Sequence, residues 1–116
     1  MFKTKIIEVG KSADYFRGKG LVVLFSEAVD GIPMDYSYKI NKKPVNGDIS
    51  SDMSVYLNDE PYRITAVGKD VFQNLNEYGH ITMRFDGSTE ANMPGTLYLE
   101  EKELPMIDEN MEIEIR

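Results

Sequence analysis

Apolar and polar residues alternate over several short segments of this chain, which is the pattern of β-strands with one buried face. The clearest segment is Ile81–Phe85, where three apolar side chains alternate with Thr82 and Arg84. Leu21–Phe25 is apolar throughout, which predicts a central strand buried on both faces. The predicted strands are Phe2–Val9, Leu21–Phe25, Tyr36–Ile40, Met53–Leu57, Tyr62–Val67, Ile81–Phe85, Thr96–Glu100 and Met111–Ile115.

Helical periodicity occurs in two places. The apolar positions of residues 71–78 fall on one face of a helix, for which Asp70 and Gln73 form a capping box and Gly79 supplies the left-handed end. A single helical turn is predicted over Ser12–Arg17, with Ser12 as its N-cap. Asp30–Pro33 is predicted to be a loop.

Eight short strands with one well-defined helix predict an all-β fold, a small closed or nearly closed β-barrel, because closure leaves no strand edge exposed. Asn58–Pro61 is short enough to make the strands on either side of it a hairpin. At 116 residues, the chain is expected to be a single domain, 1–116. The predicted core is Leu21–Phe25, Tyr38, Val55, Leu57, Ile64, Ile81, Met83, Phe85, Leu97 and Leu99. Leu21–Phe25 is apolar on both faces, but a small barrel has only one interior in which to bury a strand face. A homodimer that covers the other face is therefore an alternative to a monomer.

Charge and composition narrow the function. The net charge is −7, which argues against nucleic acid as a partner, since binding to phosphate backbones needs the opposite sign. No apolar run approaches ~18 residues, so no membrane span is predicted, and we expect a cytoplasmic protein. Cysteine is absent and no metal-ligand cluster is evident, so neither a metal nor a cofactor is expected. The acidic residues concentrate in 100–116, which indicates a solvated edge or a docking surface for a basic partner.

His80 is the single histidine of the chain and the candidate nucleophile. A neutral imidazole can attack phosphorus, and an unperturbed histidine is largely neutral at cellular pH. The phosphorylated product needs cations around its oxygens, for which Arg63, Arg84 and Lys42 are the candidates. The alternative is that His80 only fills a polar surface position after the helix.

The segment Gly79–Gly87 (Gly-His-Ile-Thr-Met-Arg-Phe-Asp-Gly), preceded by Tyr62–Gly68 and followed by Met93–Thr96, resembles one family. This is the glucitol/sorbitol-specific IIA component family of the phosphoenolpyruvate-dependent sugar phosphotransferase system. The resemblance is specific from about Tyr62 to Glu100 and collinear but loose from Ile6 to Leu57.

The resemblance implies a role in carbohydrate uptake. A IIA protein of this family receives a phosphoryl group on a histidine from the histidine-containing phosphocarrier protein and passes it to a cysteine of a IIB component. The acceptor of the family matches Ile40 here, in the run Tyr36–Lys42, and the histidine that matches His80 accompanies that acceptor. If the match is correct, Ile40 and His80 are expected to lie close together.

Two functional hypotheses follow from the resemblance. In the first, the chain is a phosphocarrier of the relay, with His80 as the acceptor. In the second, it is a non-catalytic regulatory or protein-binding module that keeps the fold without the acceptor histidine. The isoleucine at position 40 favours the second hypothesis, in which neither the wild type nor His80→Ala is phosphorylated.

Overall fold

The computed structural model describes residues 1–26 and 34–116. The predicted loop Asp30–Pro33 lies outside the described residues. Within these residues there are two α-helices, α1 (Ala13–Arg17) and α2 (Val71–Tyr78), and a short 3-10 helix over Met34–Tyr36. The strands are β1 (Phe2–Val9), β2 (Leu21–Phe25), β3 (Ser37–Ile40), β4 (Ser54–Leu57), β5 (Glu60–Val67), β6 (Ile81–Arg84), β7 (Thr96–Leu99) and β8 (Glu112–Ile115).

The strands close into a barrel in the order β1-β3-β2-β6-β7-β5-β4-β8, with β8 returning to β1. This confirms the predicted fold class. Two pairings, β2 with β3 and β6 with β7, are parallel, and the remaining pairings are antiparallel. The predicted hairpin is also confirmed, since β4 and β5 pair directly across Asn58 and Asp59. Asn58 adopts φ 56°, a left-handed conformation that asparagine tolerates better than most residues.

Along each strand every second side chain points inward, and these side chains fill the barrel interior. The predicted core positions are buried, apart from Leu21 and Val23, which are partly exposed on the outer face of β2. On the outer face of β2, only Phe25 is buried (1% exposed). The prediction that β2 is buried on both faces is therefore correct for Phe25 and wrong for Leu21 and Val23. The core also contains residues that the prediction omitted: Phe2, Ile6, Ala13, Ile40, Val45, Ile49, Tyr62, Val71, Leu75, Ile107, Ile113 and Ile115.

The helices form at the predicted places, but their N-termini differ from the prediction. Neither Ser12 nor Asp70 makes a side-chain capping hydrogen bond. Both residues have ψ near 0° instead of the extended backbone that aims a cap side chain at the first turn. Gly79 does end α2 in the left-handed conformation, with φ 63°. Tyr36 belongs to the 3-10 helix, so β3 begins one residue later than predicted.

The two helices cover opposite ends of the barrel. At one end, called here the His80 end, α2 inserts Val71 and Leu75 into the core beside the start of β6. At the other, the α1 end, α1 inserts Ala13, and the segment that leads to β8 inserts Ile107. None of the helices within residues 1–26 and 34–116 is both long and apolar enough to cross a membrane.

Candidate functional site

His80 lies between the C-terminus of α2 and the first residue of β6. Its backbone N–H donates to the carbonyl of Asn74 (3.2 Å), which holds the residue against the last turn of the helix. Ile81 and Met83 point into the core, so the alternation of the strand directs His80 to the outer face of the barrel. The position of the histidine is thus determined by how α2 ends.

The turn before His80 is tightly packed. Ser26, which follows β2, donates its hydroxyl to the carbonyl of Tyr78 (2.7 Å). A Cβ added to Gly79 would overlap the Ser26 side chain, and the positive φ of Gly79 independently disfavours any other residue. Ser26 and Gly79 therefore anchor His80 to the end of β2.

The His80 ring is partly buried, and this burial lowers its pKa because desolvation disfavours the imidazolium. The neutral imidazole, in which a ring nitrogen has a free lone pair, is therefore favoured over the imidazolium. Its partial exposure leaves the outer face of the barrel as the direction of approach for a reacting group.

Ile40 occupies a different environment from His80. It is 1% exposed, belongs to the barrel core and pairs with Ile6 of β1. β2 separates the two residues, since Leu24 pairs with β3 on one side and with β6 on the other. Two inter-strand steps place the backbones roughly 10 Å apart. The two residues therefore lie at the same level of the sheet, two strands apart, with their side chains on opposite faces, and the match of Ile40 to the acceptor of the family stays a prediction.

The two candidate arginines are not at the His80 end. Arg84 pairs with Leu21, roughly 13 Å along β6 from His80, near the α1 end. It lines a cleft of about 530 Å³ together with Arg17, Lys19 and Lys102. Arg63 lies near the start of β5, where its N–H donates to the Glu100 carboxylate (2.8 Å). Neither arginine is therefore placed to contact a phosphoryl group on His80.

Lys42 lies in the loop that follows β3 and approaches the His80 end. The loop begins at Asn41, whose carbonyl accepts a hydrogen bond from the Thr4 hydroxyl (2.7 Å). Farther along, the Val45 N–H donates to the side-chain carbonyl of Asn76 in α2 (3.0 Å). Lys42 thus lies in a loop that contacts α2 three residues farther along.

Sequence reasoning did not connect Lys3 and Lys5 with this region. They lie on the exposed face of β1 and line one surface cleft with Lys43. The alternation of β1 indicates that both are exposed, but only its pairing with β3 places them beside residues 41–43. Among the described residues, no group of three or more histidine, cysteine, aspartate or glutamate side chains could hold a metal ion.

The fold matches a solved structure. The crystal structure of a PTS system IIA component from Enterococcus faecalis V583 superimposes with a TM-score of 0.80 over 97% of this chain and 98% of that chain. The sequence identity is 24%, so this likeness concerns the fold.

The sequence comparisons define the family. The model of the PTS system glucitol/sorbitol-specific IIA component matches residues 1–114. The PTS system glucitol/sorbitol-specific EIIA components of Escherichia coli (strain K12) and Shigella flexneri are each 30% identical over 99 residues, covering 85% of this chain and 80% of the relative. The chain belongs to the family of glucitol/sorbitol-specific IIA components of the sugar phosphotransferase system, which confirms the resemblance noted in its sequence.

Proposed function

We propose that residues 1–116 act as one IIA unit in the phosphoryl relay of a glucitol/sorbitol-type uptake system, with His80 as the phosphoryl acceptor. The observation that carries this proposal is the placement of His80, a neutral and partly exposed imidazole on the outer face of the barrel. Ile40, which matches the acceptor of the family, lies in the core and has no nucleophilic atom.

The proposed chemistry is a transfer between nitrogens. A ring nitrogen of His80 attacks the phosphorus of a phosphohistidine on the phosphocarrier protein, and the N–P bond of the donor breaks as the new N–P bond forms. The electron pair of the broken bond returns to the imidazole of the donor. In the next step, a cysteine thiolate of the IIB component attacks the same phosphorus, and His80 leaves as a neutral ring. We also propose that the phosphocarrier protein and the IIB component are the two partners of this chain, that it acts in the cytoplasm and that it forms a homodimer.

A second candidate function is favoured by the buried Ile40. If phosphorylation of this branch requires the position matched by Ile40, the chain is a docking module that binds the same partners without carrying phosphate. The barrel and its surface are unchanged in this reading, so binding alone does not distinguish the two functions.

Phosphoryl transfer from the phosphorylated phosphocarrier protein distinguishes them. For the relay, we expect one phosphoryl group per chain by intact-mass measurement at alkaline pH, lost on acid treatment and absent in His80→Gln. Tyr78→Phe, an exposed substitution at the same end, is the matched control and retains labelling. An unlabelled wild type that still binds the phosphocarrier protein supports the docking module, and acid-stable labelling that persists in His80→Gln excludes His80 as the acceptor.

A further inference from the structure

A cleft of about 320 Å³ lies on the outer face of β1, where it meets the loop after β3. We call it the lysine cleft, and its lining is Lys3, Thr4, Lys5, Asn41, Lys43 and Glu112. Pairing of Ile6 with Ile40 in the antiparallel β1–β3 ladder brings the residues before Ile6 beside those after Ile40. The cleft therefore depends on the long-range register of the barrel.

The lysine cleft is a positively charged region on a protein whose net charge is −7. It contains three ammonium groups and the carboxylate of Glu112, which lies 3.6 Å from Lys3 Nζ. In the described ranges 1–26 and 34–116, Lys5 and Lys43 have no carboxylate within 4.0 Å. Two ammonium groups are thus available to an anionic ligand.

The loop that carries Lys43 is held on both sides. The Thr4 hydroxyl, on a residue only 5% exposed, donates to the Asn41 carbonyl (2.7 Å). The Val45 N–H donates to Asn76 (3.0 Å), and the next N–H in the chain donates to the Met1 carbonyl (3.0 Å). Little backbone freedom remains to be lost when a ligand binds, which favours binding.

We propose that the lysine cleft binds the phosphoryl group of a phosphate monoester or of a phosphorylated protein side chain. A phosphoryl group carries close to two negative charges near pH 7 and three strong acceptor oxygens, which match the ammonium groups of Lys5 and Lys43. The inference deepens the proposed function and rests on it for the identity of the ligand. The proposed relay brings a phosphorylated protein to this chain, and a phosphorylating sugar-uptake system also supplies free phosphate monoesters.

The position of the cleft fits a partner that also reaches His80. β1, β3, β2 and β6 are consecutive in the barrel, so three inter-strand steps, roughly 15 Å, separate Lys5 from His80 on the outer surface. A typical protein footprint of about 800 Å² spans that distance. Because one phosphoryl group cannot reach both places at once, a phosphorylated protein presents it either to His80 or to the lysine cleft, and a free phosphate monoester occupies the cleft on its own.

The test is an NMR titration of backbone amides and lysine side chains at constant ionic strength. The probes are inorganic phosphate, glucitol 6-phosphate and the phosphorylated phosphocarrier protein, each compared with sodium chloride or the unphosphorylated carrier. We expect saturable shifts at residues 3–5 and 41–43, with affinity reduced about tenfold in the double variant Lys5→Gln/Lys43→Gln. The matched control is Lys11→Gln/Lys69→Gln, which removes the same charge from exposed positions outside the cleft.

Glu112→Gln provides a test of opposite sign. Removing the carboxylate of the cleft should tighten phosphate binding several-fold, because an anion no longer faces that repulsion. Saturation by a small phosphate supports a free phosphate monoester as the ligand, and saturation only by the phosphorylated carrier supports a protein-borne phosphoryl group. The proposal is wrong if neither a small phosphate nor the phosphorylated carrier saturates the cleft, or if the two double variants lose affinity equally.

Phosphorylation of His80 is measured separately in the same variants. If the wild type binds phosphate through Lys5 and Lys43 but is not labelled, the relay fails and the lysine cleft stands. If the wild type is labelled and no probe binds at residues 3–5 and 41–43, the lysine cleft fails and the relay stands.

Discussion

The two ends of the barrel are held by different interactions. At the His80 end, Val71 and Leu75 of α2 enter the core, and Gly79 packs against Ser26 without a charged group. At the α1 end, the helix has only five residues, and charged side chains help it to cover the end of the barrel.

The charged contacts of the α1 end centre on two cations. Arg17 donates to the Asp14 carboxylate (2.7 Å) and to the Leu104 carbonyl (3.2 Å). Lys102 pairs with Glu60 (2.7 Å) and lies over the ring of Tyr62. The comparison indicates that the His80 end depends on close packing and the α1 end on polar contacts, so different substitutions should weaken each.

The largest effect is expected from Gly79→Ala. The new Cβ overlaps Ser26 and the residue must keep a positive φ, so we expect a loss of about 2–3 kcal/mol in the free energy of unfolding. Gly95→Ala is the control at the same end, because its Cβ would lie 3.4 Å from the nearest atom, the Asn74 side-chain nitrogen, and should cost less than about 1 kcal/mol. Urea denaturation measures both, and equal losses would contradict the packing argument.

The α1 end is tested by Arg17→Met, which keeps the apolar stem and removes the guanidinium. The side chain is only 18% exposed, and its loss leaves the Leu104 carbonyl without that donor, so we expect a cost of about 1–2 kcal/mol. Lys11→Met removes an exposed ion pair with Asp35 and should change stability by less than about 0.5 kcal/mol. A loss for Arg17→Met no larger than for Lys11→Met would show that polar contacts do not hold this end.

Tyr38 crosses the core near the α1 end and is expected to respond to high pH. Among the described residues, its buried hydroxyl has no hydrogen-bond partner, and burial raises the pKa of Tyr38 to about 12. The folded protein therefore holds this proton more tightly than the unfolded chain, and stability should decrease as the pH rises from about 10 to 12.

Tyr38→Phe should remove that alkaline component while changing stability at pH 7 by less than about 1 kcal/mol, because the deleted hydroxyl is unsatisfied. Denaturation midpoints between pH 7 and 12 measure the effect, with Tyr78→Phe as the exposed control. A Tyr38→Phe profile that follows the wild type would contradict the role of the buried hydroxyl.

Local features of the fold were predictable from the sequence, and long-range ones were not. Alternation located the strands, and Gly79 located the end of α2, because both are determined within a few residues. The parallel pairings of β2 with β3 and of β6 with β7 join segments that local patterns do not relate.

The same limit applies to the candidate site. Chemistry singled out His80, since the chain has no other histidine. Its separation from Ile40, and the approach of Lys3 and Lys5 to Lys43, depend on the register of β1, β3, β2 and β6. A collinear match can align residues with a family, but it does not determine which face of a strand carries each side chain.

The smallest expected effect concerns the titration of His80. Burial lowers its pKa, so the folded protein binds this proton less tightly than the unfolded chain, whose histidine titrates near ~6.5. Stability is therefore greatest above that pH and decreases as the pH falls below it. NMR of the imidazole should give a midpoint below the unfolded value, and His80→Gln should remove this part of the acid dependence. Since a charged ring cannot attack phosphorus, phosphorylation of His80 should weaken over the same pH range in which the ring titrates. A midpoint at or above the unfolded value would contradict desolvation as the main influence on the pKa of His80, and would remove its part in the acid dependence of stability.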